Sequence, residues 1–307
     1  MKILVVGGTG QIGGHAALRL KRKGHRVVIA GRKPALATSA LADLEFLRLD
    51  YIANDTPVSA LSSFDAVVFA AGQDVRTMPS GADYDSYMWR ANAEAAPAFF
   101  QTLKAANVPV AINIGTFYPQ AAPLVAAKDG YMRSRAASDA AICALASESF
   151  RVFSINPPWV PGVVPGLPSV LWDPYLRYAA GLTDLSEFAP PGGVAYMSGA
   201  SLSDAIEGGL QRGEAGVSYL VNDQNMSFEA FLAAMFGAFG RPAPKVDGSR
   251  EHPIIVDFAI AWGRGNNLFV DPKPREAALL GYRRNDVVRT ITEEMVPEFR
   301  HREMGGA

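Results

Sequence analysis

The chain has 307 residues, of which 29 are lysine or arginine and 30 are aspartate or glutamate, and 49% are hydrophobic. This length suggests two domains or one elaborated domain, and the hydrophobic content excludes a disordered chain. The formal net charge of −1 argues against a nucleic-acid partner, which needs a basic excess or stripe.

Cysteine and histidine are too scarce for several kinds of site. The single cysteine, Cys143, excludes an internal disulfide framework and a cysteine-based zinc site. The four histidines are scattered along the chain, so we expect no metal site. No apolar run approaches the roughly 18–20 residues that span a bilayer, and the first apolar run is too short for a signal peptide. We therefore expect a cytoplasmic protein with no membrane partner.

The first thirty residues predict a strand at 3–6, a glycine-rich turn, a helix that ends near Gly24, and a second strand at 26–30. In such a turn the first glycine permits the tight bend, the second lets a pyrophosphate approach the backbone, and the third lets the helix pack closely. The helix N-terminus then faces the phosphates. We predict a dinucleotide site at Gly7, Thr9, Gly10, Gln11, Ile12 and Gly13. A glycine turn without a ligand is the alternative.

The residues that follow the second strand indicate the cofactor. An NAD site usually carries a carboxylate there, which binds the ribose 2′-hydroxyl. This chain has Arg32 and Lys33 instead, and two cations can pair with a 2′-phosphate. We therefore predict that NADP(H) is preferred over NAD(H); a solvated basic loop is the alternative.

Further strands are predicted at 44–49, 66–70 and 110–114, with a long helix at 86–106. Apolar strands that alternate with helices predict an α/β fold with a Rossmann-type, doubly wound parallel sheet. At the strand ends, Asp50 could accept a hydrogen bond from the adenine amino group, and the small residues Ala70, Ala71 and Gly72 leave room for a ribose.

The glycine turn, Asp50, Ala70–Gly72, Asn92 and the segments 156–162 and 271–282 together resemble the extended short-chain dehydrogenase/reductase superfamily. The nearest group is its NAD(P)-dependent epimerase/dehydratase branch, which includes dihydroflavonol-reductase-like enzymes. The resemblance implies a Rossmann domain (1–160 with 194–222), a smaller and mostly C-terminal substrate domain (161–193 with 223–307), and possible homodimers. It also implies that Asn92, Pro157 and Val160 lie beside the cofactor.

The same resemblance implies a catalytic Ser/Thr, Tyr and Lys, the last two spaced YxxxK on one helix face. The best match is Tyr131 with Arg135, on a helix for which Asp129 is the expected N-cap. Tyr131 would exchange a proton with the substrate oxygen, which Thr116 would orient. Arg135 keeps the positive charge of the lysine but cannot release a proton. Each residue also has an interpretation without a catalytic role. Tyr131 would then be a half-buried helix tyrosine, Thr116 a hydroxyl at a strand edge, and Arg135 a solvated helix charge.

In the second half, strands are predicted at 194–197 and 217–221, the latter as a candidate to rejoin the Rossmann sheet. Ser227 is expected to cap a helix at 228–239. The loops near the nicotinamide end supply a set of candidate substrate contacts: Gln73, Asp74, Arg76, Phe117, Tyr118, Trp159, Trp172 and Met197.

Most of these candidates are aromatic or apolar, so the main hypothesis is an NADP(H)-dependent oxidoreductase that acts on a carbonyl or alcohol with an apolar or aromatic body. A sugar-nucleotide epimerase or dehydratase is the first alternative. A non-catalytic NADP-binding regulator is the second, and it is suggested by Arg135 in place of lysine.

Overall fold

The structure is a computed structural model that describes residues 1–303. Ten strands form its two sheets: β1 (Lys2–Val6), β2 (Arg26–Gly31), β3 (Glu45–Arg48), β4 (Ala66–Phe69), β5 (Val110–Ile114), β6 (Arg151–Asn156), β7 (Gly193–Tyr196), β8 (Ser218–Leu220), β9 (Gln224–Ser227) and β10 (Asn267–Leu268).

The α-helices of the described residues are α1 (Gln11–Arg22), α2 (Val58–Leu61), α3 (Tyr84–Met88), α4 (Ala96–Ala105), α5 (Tyr118–Ala121), α6 (Pro123–Ala126), α7 (Gly130–Cys143), α8 (Asp173–Ala179), α9 (Gly199–Arg212), α10 (Phe228–Ala238), α11 (Pro274–Leu280), α12 (Val287–Arg289) and α13 (Val296–Glu303). A π-helical segment, Trp89–Ala95, joins α3 to α4, so the predicted long helix is present but not uniform. A second π-helical segment, Thr290–Met295, joins α12 to α13.

Seven strands form one parallel sheet in the order β3-β2-β1-β4-β5-β6-β8. Alternate residues of β1 point to opposite faces. Ile3 and Val5 pack with α1 and α9 in one core cluster, whereas Leu4 and Val6 pack with α4 in another. Helices therefore cover both faces, which explains why the central strands read as continuous apolar runs. The predicted doubly wound Rossmann-type fold is confirmed.

A second, three-stranded sheet has the order β10-β7-β9 and lies in a separate core of aromatic residues. β8 joins the large sheet, as expected for 217–221, but β7 pairs antiparallel with β9. Tyr196 of β7 stacks on Phe231 of α10 with ring centroids 4.3 Å apart. We therefore propose that the boundary between the two halves falls between β7 and α9 rather than before residue 194.

Buried carboxylates join the two halves at the start of α9. Asp286 accepts a hydrogen bond from Ser198 at 2.7 Å, and Asp223 accepts one from Ser201 at 2.9 Å. Arg289 pairs with Asp286 at 2.5 Å. Because a buried carboxylate is costly without partners, this network fixes the C-terminal elements against the large sheet.

Two predicted helix caps are confirmed by their hydrogen bonds. The Asp129 carboxylate accepts from the Met132 N–H at 2.8 Å at the start of α7. The Ser227 hydroxyl accepts from the Ala230 N–H at 3.0 Å at the start of α10. Within residues 1–303, no helix is both long enough and apolar enough to cross a membrane.

Candidate functional site

The glycine turn brings the N-terminus of α1 to the carboxyl edge of the large sheet. Gly7 has a φ of +77°, and a Cβ at Gly13 would overlap the Gly7 carbonyl. A Cβ at Gly10, in contrast, would meet only the Gly7 oxygen at 3.4 Å. The protein's own packing therefore requires Gly7 and Gly13, whereas Gly10 leaves open space in front of the helix.

The first turn of α1 has the features of an anion site. Among residues 1–303 no side chain caps it, and the turn itself contains no acidic residue. The first N–H groups of a helix lack intrahelical acceptors, so they are available to a phosphate. The Gln11 side chain is not available, because its amide donates to the Gly162 carbonyl at 2.6 Å and accepts from Ser169 at 2.7 Å.

A cleft of about 1100 Å³ lies beyond the ends of β2 and β3. Arg32 and Lys33 line it as predicted, and Arg48, which sequence reasoning missed, is a third cation on its wall. None of the three has an ion-pair or side-chain hydrogen-bond partner within residues 1–303. Arg48 stands beside Gly31 in the parallel register of β2 and β3, and the strand pairing rather than the local sequence brings it there.

The carboxylate and the small residues at the strand ends have different roles. Asp50 lines the cleft and accepts from the Ile52 N–H at 3.0 Å, so one carboxylate oxygen is already engaged. The backbone of Ala70 and Ala71 lies against Gly7 so closely that a Cβ on Gly7 would come within 2.8 Å of it. Ala70 and Ala71 are half-buried and Gly72 is exposed, and none of the three lines the cleft of about 1100 Å³.

Asn92 does not reach the cleft. It is 2% exposed, its amide donates to the Gln73 carbonyl and the Ser134 hydroxyl, and its oxygen accepts from the Gln73 N–H. The expected cofactor contact is therefore corrected to a structural role, in which Asn92 fixes the backbone of Gln73. Gln73 itself is 6% exposed and accepts from Tyr87.

Three predicted catalytic side chains lie at or next to the ends of β4 and β5. Tyr131 is half-buried in the first turn of α7, and its hydroxyl has no hydrogen-bond partner in the described chain. The Arg135 guanidinium lies 5.9 Å from the centre of the Tyr131 ring and donates to the Ile114 carbonyl at 2.6 Å. Thr116 follows β5, is 9% exposed, and precedes Phe117, whose N–H donates to the Pro157 carbonyl at 3.1 Å.

Aromatic side chains form one wall near Tyr131. The Trp159 indole donates to the Tyr118 hydroxyl at 2.7 Å, and burial raises the pKa of Tyr118. Trp262, which sequence reasoning missed, lies 6.2 Å from the Tyr118 ring and 6.4 Å from the Trp159 ring. No local motif marks Trp262, because the folding of a distant loop brings it to this wall.

Three of the predicted substrate contacts are wrong. Trp172, Met197 and Phe117 are at most 1% exposed, so they have no surface to offer a substrate. Trp172 donates its indole N–H to the Val160 carbonyl at 2.8 Å and is a core residue. Asp74 and Arg76 stay near the surface, but they pair with each other at 2.5 Å, and this hydrogen bond raises the pKa of Arg76.

The sheet order and the glycine turn define a Rossmann-type protein of the dinucleotide-binding class. The model of the NAD dependent epimerase/dehydratase family matches residues 3–166, and the chain belongs to this family. The resemblance expected from the sequence is thus confirmed. Curated protein sequences contain no match to the chain.

Solved structures share the fold at low sequence identity. One is a UDP-glucose-4-epimerase from Stenotrophomonas maltophila with bound NAD and formylated UDP-arabinopyranose (TM-score 0.77, 18% identity, 100% of both chains). Another is a UDP-N-acetylglucosamine 4-epimerase from Bacillus cereus (0.69, 14% identity, 95% of this chain and 94% of that chain). A third is TunA, an NAD dependent NDP-hexosamine 5,6-dehydratase involved in tunicamycin biosynthesis (0.73, 17% identity, 99% of both chains).

The glycine geometry predicts opposite effects for two alanine substitutions. Gly10→Ala should leave the free energy of unfolding unchanged or raise it by up to about 1 kcal/mol, because φ −96° and ψ −179° suit any residue. It should weaken dinucleotide binding by about tenfold or more, because the methyl group occupies the space in front of the helix.

Gly13→Ala should destabilise the fold by about 1–3 kcal/mol. Chemical denaturation and fluorescence titration with NADPH measure the two effects, and equal loss of stability in both variants would contradict this reading.

Proposed function

We propose that this chain oxidises or reduces a carbon–oxygen group of a small molecule, with a bound nicotinamide dinucleotide and with Tyr131 as the proton-exchanging residue. The half-buried Tyr131 hydroxyl, which has no protein partner within residues 1–303, supports this most directly. It stands at the carboxyl edge of the sheet, where ligands bind in open α/β folds.

The residues around the cleft fit a dinucleotide. The uncapped start of α1 would hold the pyrophosphate, and the cleft of about 1100 Å³ would take the adenosine end. Ala70 to Gly72 would leave room for the ribose, with Pro157 and Val160 on the nicotinamide side. When bound, the nicotinamide would supply or accept a hydride.

The chain's own residues would move the proton and hold the substrate. Tyr131 would donate its phenolic proton to the substrate oxygen in the reductive direction and accept it in the oxidative one. The Thr116 hydroxyl would hydrogen-bond the same oxygen and orient it. Arg135 keeps a positive charge beside the Tyr131 ring in both directions, since a guanidinium does not deprotonate.

Tyr131→Phe should lower turnover by about 10²–10⁴-fold, because the proton donor is removed while the ring and its packing stay. Dinucleotide affinity should not change. The measurement is steady-state turnover together with a binding titration. Tyr282→Phe, the same chemical change beside Asn222 in the C-terminal half, serves as the control and should keep full activity. Undiminished turnover by Tyr131→Phe would exclude the proposed role.

We propose in addition that the dinucleotide is NADP(H) rather than NAD(H). Arg32, Lys33 and Arg48, which have no ion-pair partner in the described part of the chain, support this. Gly31 supports it as well, because it has no side chain to receive a ribose 2′-hydroxyl. Two of the solved structures cited above carry NAD or are named NAD dependent, and that description belongs to those two proteins.

Arg48→Ala should raise the Kd for NADPH by about tenfold and leave the Kd for NADH nearly unchanged, since only NADPH carries the 2′-phosphate. Arg26→Ala is the matched control, because Arg26 pairs with Glu45 at 2.9 Å across the same two strands. It should affect neither Kd. Tighter binding of NADH than of NADPH by the unmodified protein would refute the preference.

Two reaction classes remain as candidates, and they differ in the fate of the hydride. The family assignment and the activities for which the similar structures are named support an epimerase or dehydratase that acts on a sugar nucleotide. The aromatic wall of Tyr118, Trp159 and Trp262 supports a net reductase for an apolar or aromatic carbonyl compound.

Two assays on the purified protein separate these classes. UDP-glucose and UDP-N-acetylglucosamine are incubated with catalytic dinucleotide, and isomerised or dehydrated product is sought by NMR. A panel of aromatic ketones is incubated with stoichiometric NADPH, and its consumption is followed by absorbance. Sugar product without net NADPH loss supports the epimerase or dehydratase, and NADPH consumption supports the reductase. Dinucleotide binding with no turnover in either assay would favour the NADP-binding regulator.

A further inference from the structure

Arg135 holds a fixed position between the ends of two strands. Its Nη2 donates to the carbonyl of Ile114, the last residue of β5, at 2.6 Å. Its Nη1 lies against Gly72, three residues after the end of β4. The guanidinium also lies 5.9 Å from the Tyr131 ring, within the range of a cation–π contact. One side chain therefore bonds the end of β5, lies against the segment that follows β4, and places its charge near the proposed proton donor.

Gly72 provides the space that this arrangement requires. A methyl group at position 72 would overlap the Nη1 atom of Arg135. The glycine is not required by a left-handed backbone, because its φ is outside the positive range. The observed position of the guanidinium therefore requires a residue without a side chain at position 72, and a methyl group there would move the flexible end of Arg135 rather than the backbone.

A lysine at position 135 would not reproduce these contacts. A guanidinium is planar and carries donors at several fixed points, whereas an ammonium is a compact charge at the end of a flexible chain. A lysine could reach the Ile114 carbonyl or the Gly72 region, but it has no second nitrogen to span both.

We propose that Arg135 is a positioning residue that clamps the ends of β4 and β5, and that Gly72 and Arg135 form a matched pair. The clamp would set the edge of the cleft on which the nicotinamide end of the dinucleotide lies. This inference rests on the proposed function, which places that end beside Tyr131.

The segment 72–78 is also joined to α7 through Asn92, which lies in the π-helical segment between α3 and α4. Asn92 bonds both backbone groups of Gln73 and the hydroxyl of Ser134, the residue next to Arg135. Ser134 in turn donates to the Tyr131 carbonyl at 2.7 Å. Arg135 on one side and Asn92 on the other thus fix the start of this segment relative to the helix of Tyr131. Loss of the guanidinium should loosen the segment without unfolding α7.

The test compares Arg135→Lys with the unmodified protein. It measures the Kd for NADPH, the Kd for 2′,5′-ADP and the hydrogen exchange of residues 72–78. The Kd for NADPH should rise by about tenfold or more, because a lysine cannot hold the end of β5 and the segment after β4 at the same time. The Kd for 2′,5′-ADP, which lacks the nicotinamide half, should stay within about twofold. Hydrogen exchange of residues 72–78 should become faster by about tenfold. Arg133→Lys is the control on the same helix; Arg133 pairs with exposed Asp85, and its variant should match the unmodified protein.

A double-mutant cycle tests the matched pair. Gly72→Ala alone should weaken NADPH binding about as much as Arg135→Lys, because the methyl group displaces the guanidinium. Adding Arg135→Lys to Gly72→Ala should cause little further loss, so the two effects should not add. Additive effects, or an Arg135→Lys protein with unchanged NADPH affinity and unchanged exchange at 72–78, would overturn the proposal.

The outcomes also separate this inference from the proposed function. If the unmodified protein binds neither NADPH nor 2′,5′-ADP, the dinucleotide proposal fails. Hydrogen exchange at 72–78 in the Arg135→Lys and Arg133→Lys proteins then still decides whether the clamp exists. Thermal unfolding of every variant shows whether a lost effect reflects a lost fold.

Discussion

The close approach of α1 to the turn after β1 is the constraint on which the rest of the cleft depends. Gly13 packs so tightly on the Gly7 carbonyl that no side chain fits between them. This contact fixes the direction of α1, and the helix N-terminus therefore points across the carboxyl edge of the sheet. β4 pairs with β1 on one side and β2 pairs with it on the other, so the segments that follow both strands are positioned relative to the same turn.

The second half completes the site by supplying one wall. Trp262 comes from a loop near the C-terminus and meets Tyr118 from the loop after β5. A polar network joins Asp223 and Asp286 of this half to Ser198 and Ser201 at the start of α9, which packs on the large sheet. Because the wall is assembled from distant segments, its chemistry can change while the dinucleotide half stays the same.

Local patterns were sufficient to predict the first half of the fold. The glycine turn, the apolar strands and the caps at Asp129 and Ser227 depend on neighbours in sequence, and each is present. The errors concern long-range contacts. An aromatic residue such as Trp172 suits a cleft wall or a core equally well, and only the packing of α8 against α10 decides that it is core. Arg48 was missed because the pairing of β2 with β3, not its sequence context, places it on the cleft.

The free cations of the cleft also affect how a ligand would arrive. Arginines elsewhere, such as Arg19, Arg241 and Arg302, are each neutralised by a carboxylate partner. Arg32, Lys33 and Arg48 have no such partner within residues 1–303, and against Asp50 and Asp55 on the same cleft they leave a lining with an excess of positive charge. Such a potential attracts anionic ligands over roughly one Debye length, about 8–10 Å in physiological salt. A dinucleotide would thus be captured by its adenosine end first, and the nicotinamide would settle beside Arg135 afterwards.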